Sequence, residues 1–114
     1  MNTVIRKESP SDVAAIRAVT VAAFLNATYT NHTEQYIIDA LRKAGALTIS
    51  LVADQEREVV GHVAVSPVAI SDGSAGWYGF GPISVRPDLQ GRGIGSHLMQ
   101  AALRIAAPRR IHIS

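Results

Sequence analysis

A chain of 114 residues, 47% hydrophobic and 18% charged, has the composition of one folded domain whose core needs no covalent staples. The absence of cysteine excludes disulfides, thiolate metal sites and thiol nucleophiles, and no apolar run is long enough to span a bilayer. A formal charge of +2, a pI near 9.4 and scattered basic residues, with Arg109-Arg110 near the end, give no basis for a nucleic-acid surface. The N-terminus lacks the apolar block of a secretory signal, so the cytoplasm is the expected location.

Thr3 to Lys7 reads as a short first strand, with Val4 and Ile5 its apolar members. Ser9-Pro10-Ser11-Asp12 then starts a helix that Ser9 or Ser11 would cap. Val13, Ile16, Val19 and Ala23 recur at steps of three or four, which predicts a first helix ending near Phe24. Asn26 to His32 is turn-prone, and Asn31 with Glu34 predicts a capping box for a second helix, Thr33 to Ala44, closed by Gly45. Leu47, Ile49, Leu51 and Ala53 alternate with Thr48, Ser50, Val52 and Asp54, the period of a strand with one buried face. After the charged turn Gln55 to Glu58, Val59 to Ile70 returns antiparallel, and Pro67 marks an edge or a bulge.

Ser71 to Gly76 is a loop by composition, and Trp77 to Val85 is a fourth strand, bent where Gly79, Gly81 and Pro82 interrupt it. A third helix carries Ile94, Leu98, Ala102 and Ile105 on one face and stops at Pro108. Arg109 to Ser114 begins a fifth strand, with Ile111 and Ile113 on one face.

Between the fourth strand and the third helix lies Gln90-Gly91-Arg92-Gly93-Ile94-Gly95-Ser96. Glycines at 91, 93 and 95 let the backbone turn sharply and leave its N–H groups uncovered where a helix has unpaired donors and a positive dipole end. Such a turn cradles an anion, with Arg92 as a fixed charge and Ser96 as a hydroxyl donor. A nucleoside-triphosphatase loop needs Lys before its Ser or Thr, but Gly95 is followed by Ser96-His97. A dinucleotide fingerprint needs its third glycine one position later and an acidic ribose ligand beyond the last residue of this chain.

The remaining pattern, Gln-x-x-Gly-x-Gly after a strand and Arg86-Pro87, resembles the pyrophosphate motif of the GCN5-related N-acetyltransferases, with matching spacing from Ile83 through Gly95. The resemblance implies an α/β fold of the acyl-CoA N-acyltransferase kind, a mixed, mostly antiparallel sheet flanked by helices, over residues 1–114. Family domains continue with a further strand, a helix and two more strands, so the chain is expected to carry the N-terminal two-thirds of that pattern and to be incomplete at its C-terminus. Acetyl-CoA is the implied co-substrate. Its pyrophosphate would sit on Gln90, Gly91, Arg92, Gly93, Ile94, Gly95 and Ser96, and its pantetheine arm would pair with backbone freed by a bulge at Ile83, Ser84 and Val85. The implied acceptor is a primary amine, on a small molecule or a protein; no metal, nucleic acid or membrane is implied.

Direct attack of an amine on a thioester needs a neutral amine, a stabilised oxyanion and a proton for the departing thiolate. A backbone N–H near Ile83 is the candidate oxyanion donor. Many family members carry the thiolate-protonating tyrosine on a helix after the fifth strand, a segment beyond this sequence. Tyr78 and Ser84 lie on the fourth strand and are candidates for catalysis or for packing alone. His62 and His97 fit structural or surface roles better than that of a base, and no His and carboxylate spacing suggests a metal. Phe24 and Tyr29 would lie on the acceptor side in the family arrangement, or serve as core and surface aromatics. A non-catalytic coenzyme A binding module is the alternative function. An open fourth strand also predicts a homodimer, through that strand or through Ile111 and Ile113.

Overall fold

A computed structural model describes residues 2–25, 33–68, 73, 76–107 and 109–112. In chain order the elements are β1 (Thr3–Lys7), α1 (Val13–Phe24), α2 (Glu34–Lys43), β2 (Ile49–Gln55), β3 (Glu58–Val68), β4 (Trp77–Val85), α3 (Ile94–Ala106) and β5 (Arg110–His112). One sheet of order β1-β2-β3-β4-β5 contains the strands of the described residues; β1 to β4 are antiparallel and β5 runs parallel to β4. The α/β architecture with a mostly antiparallel sheet is the one expected from sequence.

Local chemistry explains the joints. A 3-10 turn, Pro10–Asp12, leads into α1, and the Ser9 N–H donates to Asp12 Oδ2 at 2.7 Å. Arg6 grips the same carboxylate at 2.7 and 3.1 Å and also donates to Asp54 on β2 at 3.0 Å, so one guanidinium ties two strands to the start of α1. That guanidinium holds the Asp12 carboxyl well below the usual carboxylate range. The β2–β3 hairpin closes through Glu56 and Arg57, both at positive φ (51° and 71°), while Asp54 accepts the Arg57 N–H at 2.8 Å. At the end of α2, Gly45 takes φ +69° and the Ala46 N–H returns to the Leu41 carbonyl at 2.9 Å.

Two expectations need correction. On β2, Leu51, Val52 and Ala53 are all buried, because helices cover both faces of the sheet rather than one. Ile49, Leu51 and Ala53 join Val63, Val65, Leu98 and Ala102 under α3, while Val52 joins Ile16 and Ile38 under α1 and α2. On α3, Ala101 and Ala106 complete the buried stripe with Ile94, Leu98 and Ala102, and Ile105 lies on the flank at 39% exposure. Pro67 pairs with Tyr78 beyond Val65, where the β2–β3 register ends, so its missing N–H falls on a local edge. The bend expected in β4 is a bulge: Val63 faces Ile83 and Val65 faces Phe80, which leaves Gly81 and Pro82 opposite Ala64 alone. The Asn31 capping residue, Tyr29, Pro108, Ile113 and most of the 71–76 loop lie outside the described residues.

Candidate functional site at the junction of β4 and α3

The chain leaves β4 at Val85 and reaches α3 through a 3-10 turn, Pro87–Leu89, and the glycine loop. Arg86 anchors the exit, pairing with Asp88 at 2.7 Å and with Glu58 of β3 at 2.7 Å. Gly91 and Gly93 take φ of +80° and +86°, a backbone that disfavours any side chain, and Gly93 is the N-cap of α3. Gly95 differs. Its φ is ordinary, and a Cβ there would meet only Val85 Cγ2 at 3.7 Å, an ordinary contact.

The loop encloses a concavity of about 230 Å³ lined by Val85, Leu89, Gln90, Gly91, Gly93, Ile94, Gly95 and Ser96. The first α3 hydrogen bond runs from the His97 N–H to the Gly93 carbonyl at 3.0 Å, so the N–H groups of Ile94, Gly95 and Ser96 have no intrahelical acceptor. With the positive end of the helix dipole, they form a site for an anion. Arg92 is exposed beside it without lining it.

Beyond the bulge, β4 is positioned by β3 on one side. The Arg86 N–H bonds the Val60 carbonyl of β3 at 2.8 Å, and strand alternation then turns the polar groups of Val85 and Ile83 to the opposite edge. The Gln90 amide donating to the Val85 carbonyl at 3.0 Å agrees with that direction. The β4–β5 register covers Trp77 to Gly79, so among the described residues the Ile83–Val85 edge has no strand partner. The cradle and this edge are therefore continuous, running from the α3 N-terminus along β4 toward the bulge.

The chain matches the Acetyltransferase (GNAT) family over residues 13–113. It belongs to that family. At 34% identity over 100 residues it is similar to the uncharacterized N-acetyltransferase YhbS of Escherichia coli K12, covering 87% of this chain and 57% of YhbS. It also resembles the crystal structure of a GNAT family acetyltransferase from Brucella melitensis in complex with acetyl-CoA, with 50% identity, a TM-score of 0.88, and coverage of 98% of this chain and 75% of that one. The YhbS structure in complex with CoA gives 30% identity, a TM-score of 0.76 and coverage of 92% and 56%. The chain thus spans a little over half the length of the curated relatives it matches.

Other sequence candidates fall elsewhere. Ser84 is 1% exposed, on the α1 face of the sheet, and its Oγ lies 3.4 Å from Thr20 Oγ1. Tyr78 sits before the bulge, packed on the core under the Arg109 guanidinium at 5.6 Å. Ile83 packs its side chain on the α3 core and so offers the slot only backbone. His97 is exposed on α3, whereas His62 is fully buried opposite Ser84. His62 Nε2 lies 2.8 Å from Ser50 Oγ, which also bonds Glu8, itself paired with Arg42. Burial pushes the His62 imidazole down to about 4, against the pull of the Glu8 charge. Burial raises the Glu8 carboxyl, but hydrogen bonds from Arg42 and Ser50 outweigh it and hold the group below its ordinary value. Phe24 lines a concavity of about 270 Å³ with Val21, Leu25 and Gln35 at the end of α1. Sequence reading passed over Leu89, which walls the cradle, and named Arg86 only as part of the motif without its anchoring role; an apolar residue and an arginine flanking Pro87-Asp88 were the available signals.

Proposed function

We propose that this chain binds acetyl-CoA and belongs to an N-acetyltransferase acting on a primary amine. The pyrophosphate would rest on the N–H groups of Ile94, Gly95 and Ser96, with Gly91 and Gly93 keeping the approach free of side chains. The pantetheine amides would pair with the backbone of Ile83 to Val85, and the Ile83 N–H would face the thioester oxygen as charge develops there. The observation that carries this reading is the continuity of an anion cradle with an edge of the same β4 that has no strand partner among the described residues. The acetyl-CoA and CoA complexes of the Brucella and E. coli relatives support it.

A second reading, coenzyme A binding without turnover, is favoured by the surroundings of that edge. Among the described residues the Ser84 hydroxyl is enclosed and Tyr78 stands before the bulge, so neither is placed to protonate a thiolate beyond it. Titration calorimetry with acetyl-CoA, paired with thiol release over a panel of small amines and peptides, separates the two readings. Binding with release supports transfer, binding alone supports the second reading, and no binding removes both. The open edge also supports a two-fold dimer, and pantetheine would compete for the same groups. Sedimentation velocity should then show dimers that dissociate when acetyl-CoA is added; a dimer indifferent to it would place the contact elsewhere.

A further inference from the structure

A cavity of about 430 Å³ lies where the end of α2, the start of β2 and the end of α3 meet, at the opposite end of the sheet from the cradle. That volume suits a small molecule. Lys7, Arg42 and Arg109 face it against one carboxylate, Glu8. Glu8 is already engaged, accepting from Arg42 Nη1 and from Ser50 Oγ. The Arg42 Nε–H is buried and has no acceptor among the described residues, so its pairing with Glu8 leaves part of the guanidinium's hydrogen-bonding capacity unused. Beside these groups lies an apolar floor of Leu47, Ile49 and Ile105. Ile105 is 39% exposed, open for a large aliphatic side chain.

Helix ends explain some of this charge, since α2 and α3 both finish at the cavity and their negative ends attract cations. That accounts for Arg109, whose Nη1 donates to the Ile105 and Ala106 carbonyls at 3.3 and 3.5 Å. It does not account for the other two. The last α2 carbonyls already accept from the N–H groups of Ala44, Gly45 and Ala46 at 3.0, 3.2 and 2.9 Å, and Lys7 belongs to β1.

We propose that this cavity is a second binding site, for a small carboxylate with an apolar body. The carboxylate meets the Arg42 guanidinium and the Lys7 ammonium, and the apolar part lies on Leu47 and Ile105. Hexanoate, hexylamine and inorganic phosphate are the probes, each titrated into the full chain and followed by amide chemical shifts. Hexanoate should saturate at millimolar concentration, shifting Lys7, Gly45 and Ile105 and leaving Gly91 to Ser96 unmoved, while hexylamine should produce no saturable shift. Ile105→Glu places a negative charge on the floor at an exposed position, and should weaken hexanoate at least about tenfold with the fold retained and acetyl-CoA affinity unchanged, the negative end of α3 lowering the thermal midpoint only slightly. Lys7→Gln should weaken it less. No saturable hexanoate shift would overturn the site, and so would hexylamine binding as tightly. Phosphate binding as tightly as hexanoate would overturn the apolar half of the assignment. Because acetyl-CoA binding is read separately at the other end of the sheet, failure here is distinguishable from failure of the acetyltransferase reading.

Discussion

Under α3 the sheet is covered by Ile94, Leu98, Ala101, Ala102 and Ala106, whereas under α1 and α2 it buries Thr20, His62 and Ser84 beside Ile16, Ile38 and Val52. The first face is held by apolar contact, which is insensitive to pH and fixes the helix whose N-terminus forms the cradle. The second face contains buried polar groups whose burial is tolerated only while they stay neutral. One sheet therefore presents a rigid support for cofactor on one side and a chemically conditional packing surface on the other. Substitutions on each face should fail in different ways.

The largest effect belongs to the apolar face. Leu98 is fully buried, and its Cδ1 lies 3.1 Å from where a Cβ on Gly61 would stand, so α3 sits tightly on β3. Leu98→Ala should cost about 3 kcal/mol in urea unfolding through lost transfer energy and the cavity left behind. The loss should be the same at pH 7 and pH 5. A pH-dependent loss would show that the two faces are coupled.

The polar face should respond to acid. In the unfolded chain His62 takes up its proton near pH 6.5, and in the fold only near pH 4, because burial disfavours the charged ring. Between those values the unfolded state binds more protons, so stability falls as pH falls, by up to about 3 kcal/mol on reaching pH 4. The contribution is fully present above the unfolded value. Urea midpoints at pH 7, 6 and 5 measure the slope, and His62→Gln, which keeps a partner for Ser50, should flatten it. An unchanged slope in that variant would remove His62 as the source of the response between pH 7 and 5, because Asp12, held low by Arg6, loses its contribution only as pH falls below the ordinary carboxylate range.

At the cradle, the comparison sharpens into one among glycines. Gly93→Val must hold a branched side chain at φ +86° and would cover the N–H groups of α3, so coenzyme A binding should weaken by about tenfold or more in a folded protein. Gly95→Ala should cost far less, since its φ is ordinary and its Cβ would touch only Val85 Cγ2. Equal losses at both positions in calorimetry would remove the left-handed backbone as the reason for glycine. Arg92→Ala, at an exposed charge, should weaken binding by about 1 kcal/mol or less, and less again in high salt.

Much of this was legible in the sequence because the signals are local. The bounds of β1 and β4 and the close of α2 at Gly45 follow from alternation and from glycine at a left-handed position, and the bend of β4 from Gly81-Pro82. The glycine loop could be placed against the start of α3 for the same reason. What a period of two could not report was how many layers cover a strand. Val52 looked like an outward residue until α1 and α2 were laid over it, and Ile105 looked inward until Ala106 took the place against the sheet. The Glu8, Ser50, His62 and Arg42 network joins the residue after β1 to β2, β3 and α2, so no spacing along the chain announces it.

The smallest expected effect tests how β4 is used. Ser84 stands between Ile83 and Val85, at the heart of the proposed pantetheine slot, yet its side chain points under α1 and its hydroxyl reaches, among the described residues, only Thr20, at 3.4 Å. Thr20 has a better partner in the Ile16 carbonyl, at 2.8 Å, and so does not depend on Ser84. Removing the Ser84 hydroxyl therefore strands no strong donor or acceptor, and stability should fall by no more than about 1 kcal/mol. If β4 is read through its backbone, Ser84→Ala should also leave acetyl-CoA affinity within about twofold, under about 0.5 kcal/mol. A tenfold loss by calorimetry, in a variant that unfolds at the wild-type urea midpoint, would mean that the hydroxyl leaves Thr20 to meet cofactor or acceptor. The polar face would then be part of the reaction site as well as its packing.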